Sequence, residues 1–154
     1  MKHARDWTGQ MPVDQMNQMD GLNRLTVAAL RAWNAGGALR AHALLCGRMA
    51  EPMALAAFEA LQDLTEVLGP HIRRPLRCHA PQCACVGLDE AAFARFVQEA
   101  ALGEREDALL LASILVQARA ILPLTDAAAR LGLCLHRAAR AASRIPDPAS
   151  ATRH

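Results

Sequence analysis

The stretch Leu88-Asp89-Glu90-Ala91-Ala92-Phe93-Ala94-Arg95-Phe96-Val97-Gln98-Glu99-Ala100-Ala101-Leu102-Gly103 decides the fold class. Asp89 is a residue type that caps helices, and Leu88 and Phe93 are spaced for a hydrophobic staple around it. Phe93, Phe96, Val97 and Ala100 recur at intervals of three and four, which puts them on one helical face. Gly103 supplies the stop. The spacing predicts one amphipathic helix with its start, buried face and end all written in the sequence.

The same grammar extends outward. Glu104, Glu106 and Asp107 suit the N-terminus of a next helix. That helix is apolar on most sides, so the segment Ala108–Leu122 is expected to be the most buried, with Pro123 as its stop. Thr125 then caps a last helix of about 126–142. Upstream, Leu22, Leu25, Ala29 and Trp33 mark a first helix that Gly36-Gly37 interrupts, and a second runs over about 38–49. Pro52 suits the first turn of a third, with Phe58, Leu61, Leu64 and Leu68, and Gly69-Pro70 ends it. Residues 1–20 read as a loose arm, 21–143 as a single helical domain and 144–154 as a frayed tail. The expected fold is all-α, a compact bundle of five or six helices with one long irregular loop at about 69–88.

Composition agrees. The chain has 154 residues, enough for one self-sufficient core, and 53% are hydrophobic although only 3% are aromatic. The core must therefore be built from Leu and Ala, which are strong helix formers. Ala-rich faces let helices approach closely. A net charge of +2 is too small by itself to imply nucleic acid. The longest uncharged apolar run, Ala108–Val116, is far short of the roughly 20 residues of a membrane span. No apolar run follows the N-terminus, so the expectation is a cytoplasmic protein, reducing for its five Cys.

Chemistry concentrates in Arg77-Cys78-His79-Ala80-Pro81-Gln82-Cys83-Ala84-Cys85-Val86-Gly87. Three thiols and an imidazole within eight residues are a ligand set for zinc, and less well for an iron–sulfur cluster. Arg73, Arg74 and Arg77 stand nearby, and positive charge favours the thiolate. A metal would also order a loop of unusual length. Cys78, Cys83 and Cys85 need a fourth ligand. His79 or His71 is local, while His42 and Cys46 share a helical face because residues four apart are neighbours. The spacing is Cys-x4-Cys-x-Cys, not the paired Cys-x2-Cys of zinc knuckles. The alternative is that the cysteines pack as small hydrophobes.

Near the C-terminus, Leu124-Thr125-Asp126-Ala127-Ala128-Ala129-Arg130-Leu131-Gly132-Leu133-Cys134-Leu135-His136-Arg137-Ala138-Ala139-Arg140 resembles a helix–turn–helix DNA-binding unit, in which Ala128 and Gly132 hold the turn positions. The resemblance covers about one ninth of the chain. It implies a second helix in the major groove, with Arg130, Arg137, Arg140 and Arg144 toward nucleic acid. From Arg119 onward there are six Arg against two Asp, as phosphate binding would need. Ala138 and Ala141 stand where the motif wants larger aliphatics. The competing reading is one amphipathic helix with Leu131, Cys134, Leu135 and Ala138 buried.

No Gly-rich phosphate loop, His-Glu-x-x-His or Gly-x-Ser-x-Gly occurs. The functional expectation is a non-catalytic helical accessory or regulatory protein, not an enzyme, with a metal-clamped loop. Its partner would be a protein, itself or another, and not a membrane. The alternatives are a DNA-binding regulator acting through 124–144 and a thiol or iron–sulfur redox sensor.

Overall fold

A computed structural model describes residues 8–144 of the chain. Strand β1 (Pro12–Gln15) precedes helices α1 (Gly21–Arg48) and α2 (Glu51–His71). After the loop come β2 (Cys85–Gly87), α3 (Leu88–Leu102), α4 (Arg105–Leu115) and α5 (Ile121–Ser143). The compact, mostly helical bundle expected from sequence is what forms, with five α-helices among the described residues. The tail predicted at 144–154 lies outside the described residues except for Arg144.

Helix α1 merges the first two expected helices across a kink. Gly37 sits there at φ 67°, ψ −153°, a backbone region essentially reserved for Gly. Asp20 caps α1, its carboxylate accepting from the Asn23 amide at 2.8 Å. Helix α2 does not stop at Gly69-Pro70 but runs on to His71. Pro70 falls in the last turn, where it disrupts little of the helix beyond it.

Helix α5 is the centre of the bundle, packed against α1, α2, α3 and α4. The core is Leu with Ala, joined by Phe93 and Phe96: Leu45, Leu61, Leu64, Leu124, Leu131 and Leu135 are fully buried, with Ala54, Ala57, Ala112 and Ala128 among them. The small residues let the helices approach. At Gly132 a Cβ would lie 2.6 Å from the Ala101 Cβ and 2.9 Å from the Val97 carbonyl, so α3 and α5 touch backbone to side chain there.

Four sequence expectations are corrected. The most buried segment is not Ala108–Leu122. Helix α4 ends at Leu115 and packs chiefly on α3 and α5 at the edge of the bundle, leaving Leu110 65% and Ile114 70% exposed. Pro123 does not stop a helix but lies in the first turn of α5, where its missing N–H costs nothing. Thr125 does not cap α5: its hydroxyl donates to the Ile121 carbonyl one turn back, at 2.7 Å. The N-cap of α3 is Gly87, not Asp89, because the Glu90 carboxylate reaches back to accept the Gly87 amide at 2.9 Å.

One further segment departs from the reading, and the C-terminal segment follows the second of its two readings, the single amphipathic helix. Part of the arm predicted as loose is strand β1, paired antiparallel with β2 in the register Pro12↔Gly87, Asp14↔Val86 and Gln15↔Cys85. Met19, Val27, Val86 and Ala94 form a small apolar cluster beneath this ribbon. And the segment that resembles a helix–turn–helix is one continuous helix, with Gly132 in its interior. The turn that would present a second helix to a groove is absent from 124–144.

Candidate functional site

The loop from Ile72 to Ala84 is fixed along its whole length by the protein itself. At its start, Ile72 bridges Val116, and the Arg73 guanidinium donates to the Ser113 and Val116 carbonyls, both at 3.0 Å. Next, Asp89 accepts two bonds from the Arg74 guanidinium, at 2.6 and 2.8 Å, and one from the Arg77 amide at 2.8 Å. At its end, the Met16 amide donates to the Ala84 carbonyl at 2.8 Å.

The central anchor is a buried ion pair. Arg31, on α1, is 1% exposed and Glu90, on α3, is fully buried. Arg31 donates to both oxygens of Glu90, at 2.7 and 2.9 Å. Two further donors go to the Cys83 carbonyl at 2.7 Å and the Cys85 carbonyl at 2.6 Å. Glu90 in turn accepts the amides of His79 and Gly87, each at 2.9 Å. Two charged side chains thus satisfy each other and four backbone groups, two in the loop and two in β2, the condition under which buried charge is tolerated.

The electrostatics follow from this geometry. Burial pushes the Glu90 carboxyl up, but the Arg31 hydrogen bond, the Gly87 and His79 amides and the guanidinium charge outweigh it, and the group is held below the ordinary range. The hydrogen bond to Glu90 raises Arg31 further above its already high value against the opposing effect of burial. Cys78 goes the other way from the expectation that neighbouring arginines favour its thiolate. Burial first, then the negative charge of Glu90 and Asp89, push its thiol up to about 12 although Arg31 opposes them. Cys78 is a protonated thiol that borders a small apolar pocket of about 200 Å³ with Leu30, Trp33, Leu68 and Leu76.

The six residues expected to ligate metal are drawn together only in pairs. The turn closed by the Cys83 amide on the Ala80 carbonyl, at 2.9 Å, folds Cys83 back onto His79. His42 and Cys46 form the second pair, on the exposed face of α1. Among the described residues no three His, Cys, Asp or Glu gather closely enough to hold an ion. The fourfold donor set that zinc requires is not assembled in this conformation, and Cys85 enters the clamp through its carbonyl.

The two Cys–His pairs differ in a decisive way. The His79 Nε2 lies 3.0 Å from the Gln10 carbonyl. A carbonyl can only accept, so Nε2 donates to it, and in the neutral ring Nδ1 then carries the lone pair. That lone pair faces the Cys83 sulfur at 3.7 Å. Gly87 leaves room for the ring, since a Cβ there would stand 3.1 Å from both Nε2 and Cδ2. Nucleophile, base and orienting acceptor therefore stand in consecutive contact. In the other pair the Cys46 sulfur is 3.8 Å from Nδ1 and 3.7 Å from Nε2 of His42. Near-equal distances mean the sulfur is aligned with neither lone pair, and the ring is occupied edge-on against Phe58.

The four arginines of the DNA reading are all exposed. Arg130 pairs with Asp63 at 3.4 Å, while Arg140 borders an open cleft of about 670 Å³ with Asp20, Arg24, Gln98 and His136. Sequence reasoning missed Arg31 and Glu90, and it gave Asp89 and Arg74, which pair with each other, the roles of helix cap and thiolate partner. A signal for Arg31 existed: it interrupts the run Val27–Ala32, every other member of which is apolar. Glu90 three residues after Gly87 fits the reciprocal half of a capping box. The Gln10 carbonyl has no sequence signal at all. The chain matches no family model, and neither a characterised protein nor a solved structure matches it significantly.

Proposed function

We propose that this chain is a non-catalytic helical regulatory protein that responds to hydroperoxides through Cys83. The observation that carries this reading is the alignment Gln10 carbonyl, His79, Cys83. As the Cys83 sulfur attacks the near oxygen of a hydroperoxide, its proton passes to His79 Nδ1. The S–O bond forms, the O–O bond breaks, and the leaving oxygen takes up that proton. The products are Cys83 sulfenic acid and water or an alcohol. Two equivalents of a cellular thiol reverse the change: the first condenses with the sulfenic acid to a mixed disulfide and releases water, and the second reduces that disulfide back to the Cys83 thiol. The readout is mechanical. The Cys83 carbonyl is a ligand of buried Arg31, so an added oxygen on this side chain strains the turn 80–83 and the ion pair that holds the loop to α1 and α3.

The test is site-resolved oxidation. The intact protein is exposed to limiting hydrogen peroxide, sulfenic acid is trapped, and each Cys is quantified by mass spectrometry. Half-buried Cys83 should react faster than exposed Cys46, the reverse of the order that exposure alone dictates. His79→Gln should slow Cys83 by about a hundredfold or more, the low side of what a positioned base contributes, and leave Cys46 unchanged. Equal rates at the two sites in the parent protein, or a Cys83 rate indifferent to His79→Gln, would refute the proposal.

A further inference from the structure

The edge helix α4 carries an apolar surface that the bundle does not cover. Leu110 and Ile114 are one turn apart and 65% and 70% exposed, so they stand as a ridge along α4. Beside the ridge runs a shallow groove lined by Leu109, Leu110, Ala118, Ile121 and Leu122, with Glu106 at one end. Leu122, on the far wall, is 57% exposed. Ser113 in this groove spends its hydroxyl on the Leu110 carbonyl at 2.6 Å and so offers an approaching surface little polarity.

We infer that this face is a homodimer interface in which a second copy of the chain lays its own α4 ridge into the groove, and reciprocally, about a two-fold axis. An isologous interface requires one patch to hold both a protrusion and the hollow that accepts it, and here they lie side by side. Charge selects the direction. The N-terminal end of α4 is acidic, with Glu104, Glu106 and Asp107 exposed, while Arg105 is spent on Asp126 at 3.2 Å. The opposite end is basic. Arg119 is exposed on the turn Ala118–Ala120, and Arg73 is held against the C-terminal carbonyls of α4. A parallel pairing sets like charge against like. An antiparallel, two-fold pairing sets each acidic end against the other chain's basic end.

The experiment is light scattering and sedimentation of the full chain across a concentration series into the high micromolar range, where small interfaces associate. The parent should approach twice the 16.6 kDa mass of one chain. Leu110→Glu should hold it at one chain mass with unchanged helical circular dichroism. The decisive arm uses two charge reversals, Glu106→Arg and Arg119→Glu. Each alone sets like charges together at both ends of the two-fold and should be monomeric. An equimolar mixture of the two restores opposite charges at both ends and should dimerise. A parent that stays monomeric throughout overturns the inference, as does a dimer indifferent to Leu110→Glu. A mixture that stays monomeric overturns the antiparallel arrangement.

Discussion

Glu90→Ala tests whether the buried ion pair, and no metal, is what orders the loop. The substitution leaves the Arg31 guanidinium 1% exposed with no counter-charge and strips the His79 and Gly87 amides of their acceptor. Breaking a buried pair from one side costs about 3–5 kcal/mol, and an orphaned buried donor about 1–3 kcal/mol. Against a typical total of about 5–15 kcal/mol, the variant should lose a third of its stability or more. The double substitution Arg31→Met/Glu90→Leu sharpens the argument. Hydrophobic replacement of a buried pair is often neutral, but this pair also serves the Cys83 and Cys85 carbonyls and the two amides. The double variant should therefore stay well below the parent, while costing less than the sum of the single changes. Because the Glu90 carboxyl is held below its ordinary range in the folded state, its contribution is present above the unfolded value of about 4.3 and is lost as pH falls through the folded one. Glu90→Gln should remove that part of the acid sensitivity. Urea denaturation at a series of pH values, with hydrogen exchange of 73–87, reads all of this. A Glu90→Ala loss below about 1 kcal/mol, or a double variant as stable as the parent, would refute the reasoning.

Two other outcomes follow from particular contacts. Gly132→Val should destabilise by about 1–3 kcal/mol as an overpacking change, despite the better helix propensity, because its Cβ meets Ala101 and the Val97 carbonyl; thermal unfolding measures it. Native-state alkylation at about pH 8, half a unit below the ordinary thiol value, should spare Cys78, whose thiol burial and the Glu90 and Asp89 charges push up to about 12, until denaturant is added. By the same linkage Cys78 favours the folded state most below the unfolded thiol value, and that contribution is lost as pH rises from there toward 12.

The candidate site was half legible. Cys83 and His79 stood out by residue type, and a turn at Pro81-Gln82 that returns one to the other is local chemistry. Their partition from Cys78 was not legible, because burial against Leu30, Trp33 and Leu68 and the charge of Glu90 are set by helices outside the loop. The arginines around the loop suggested thiolates. In the fold Arg74 and Arg73 are occupied by Asp89 and by α4 carbonyls, and the carboxylates face Cys78 instead.

By itself the sequence determined what depends on neighbours a few residues away. The period of Phe93, Phe96 and Val97, the stop at Gly103, the break at Gly37 and the Leu and Ala content gave helices, their approximate ends and their ability to pack closely. Tertiary structure decided everything that depends on which surfaces meet. It made α5 central and α4 peripheral, although α4 is the more uniformly apolar, because burial is set by how many neighbours a helix has and not by its own hydrophobicity. It kept 124–144 a single helix, since α3 fits against Gly132 without a turn. And it ordered the loop with Arg31 and Glu90, 59 residues apart in the chain, because a charge enters the core only where a partner from another helix arrives to neutralise it.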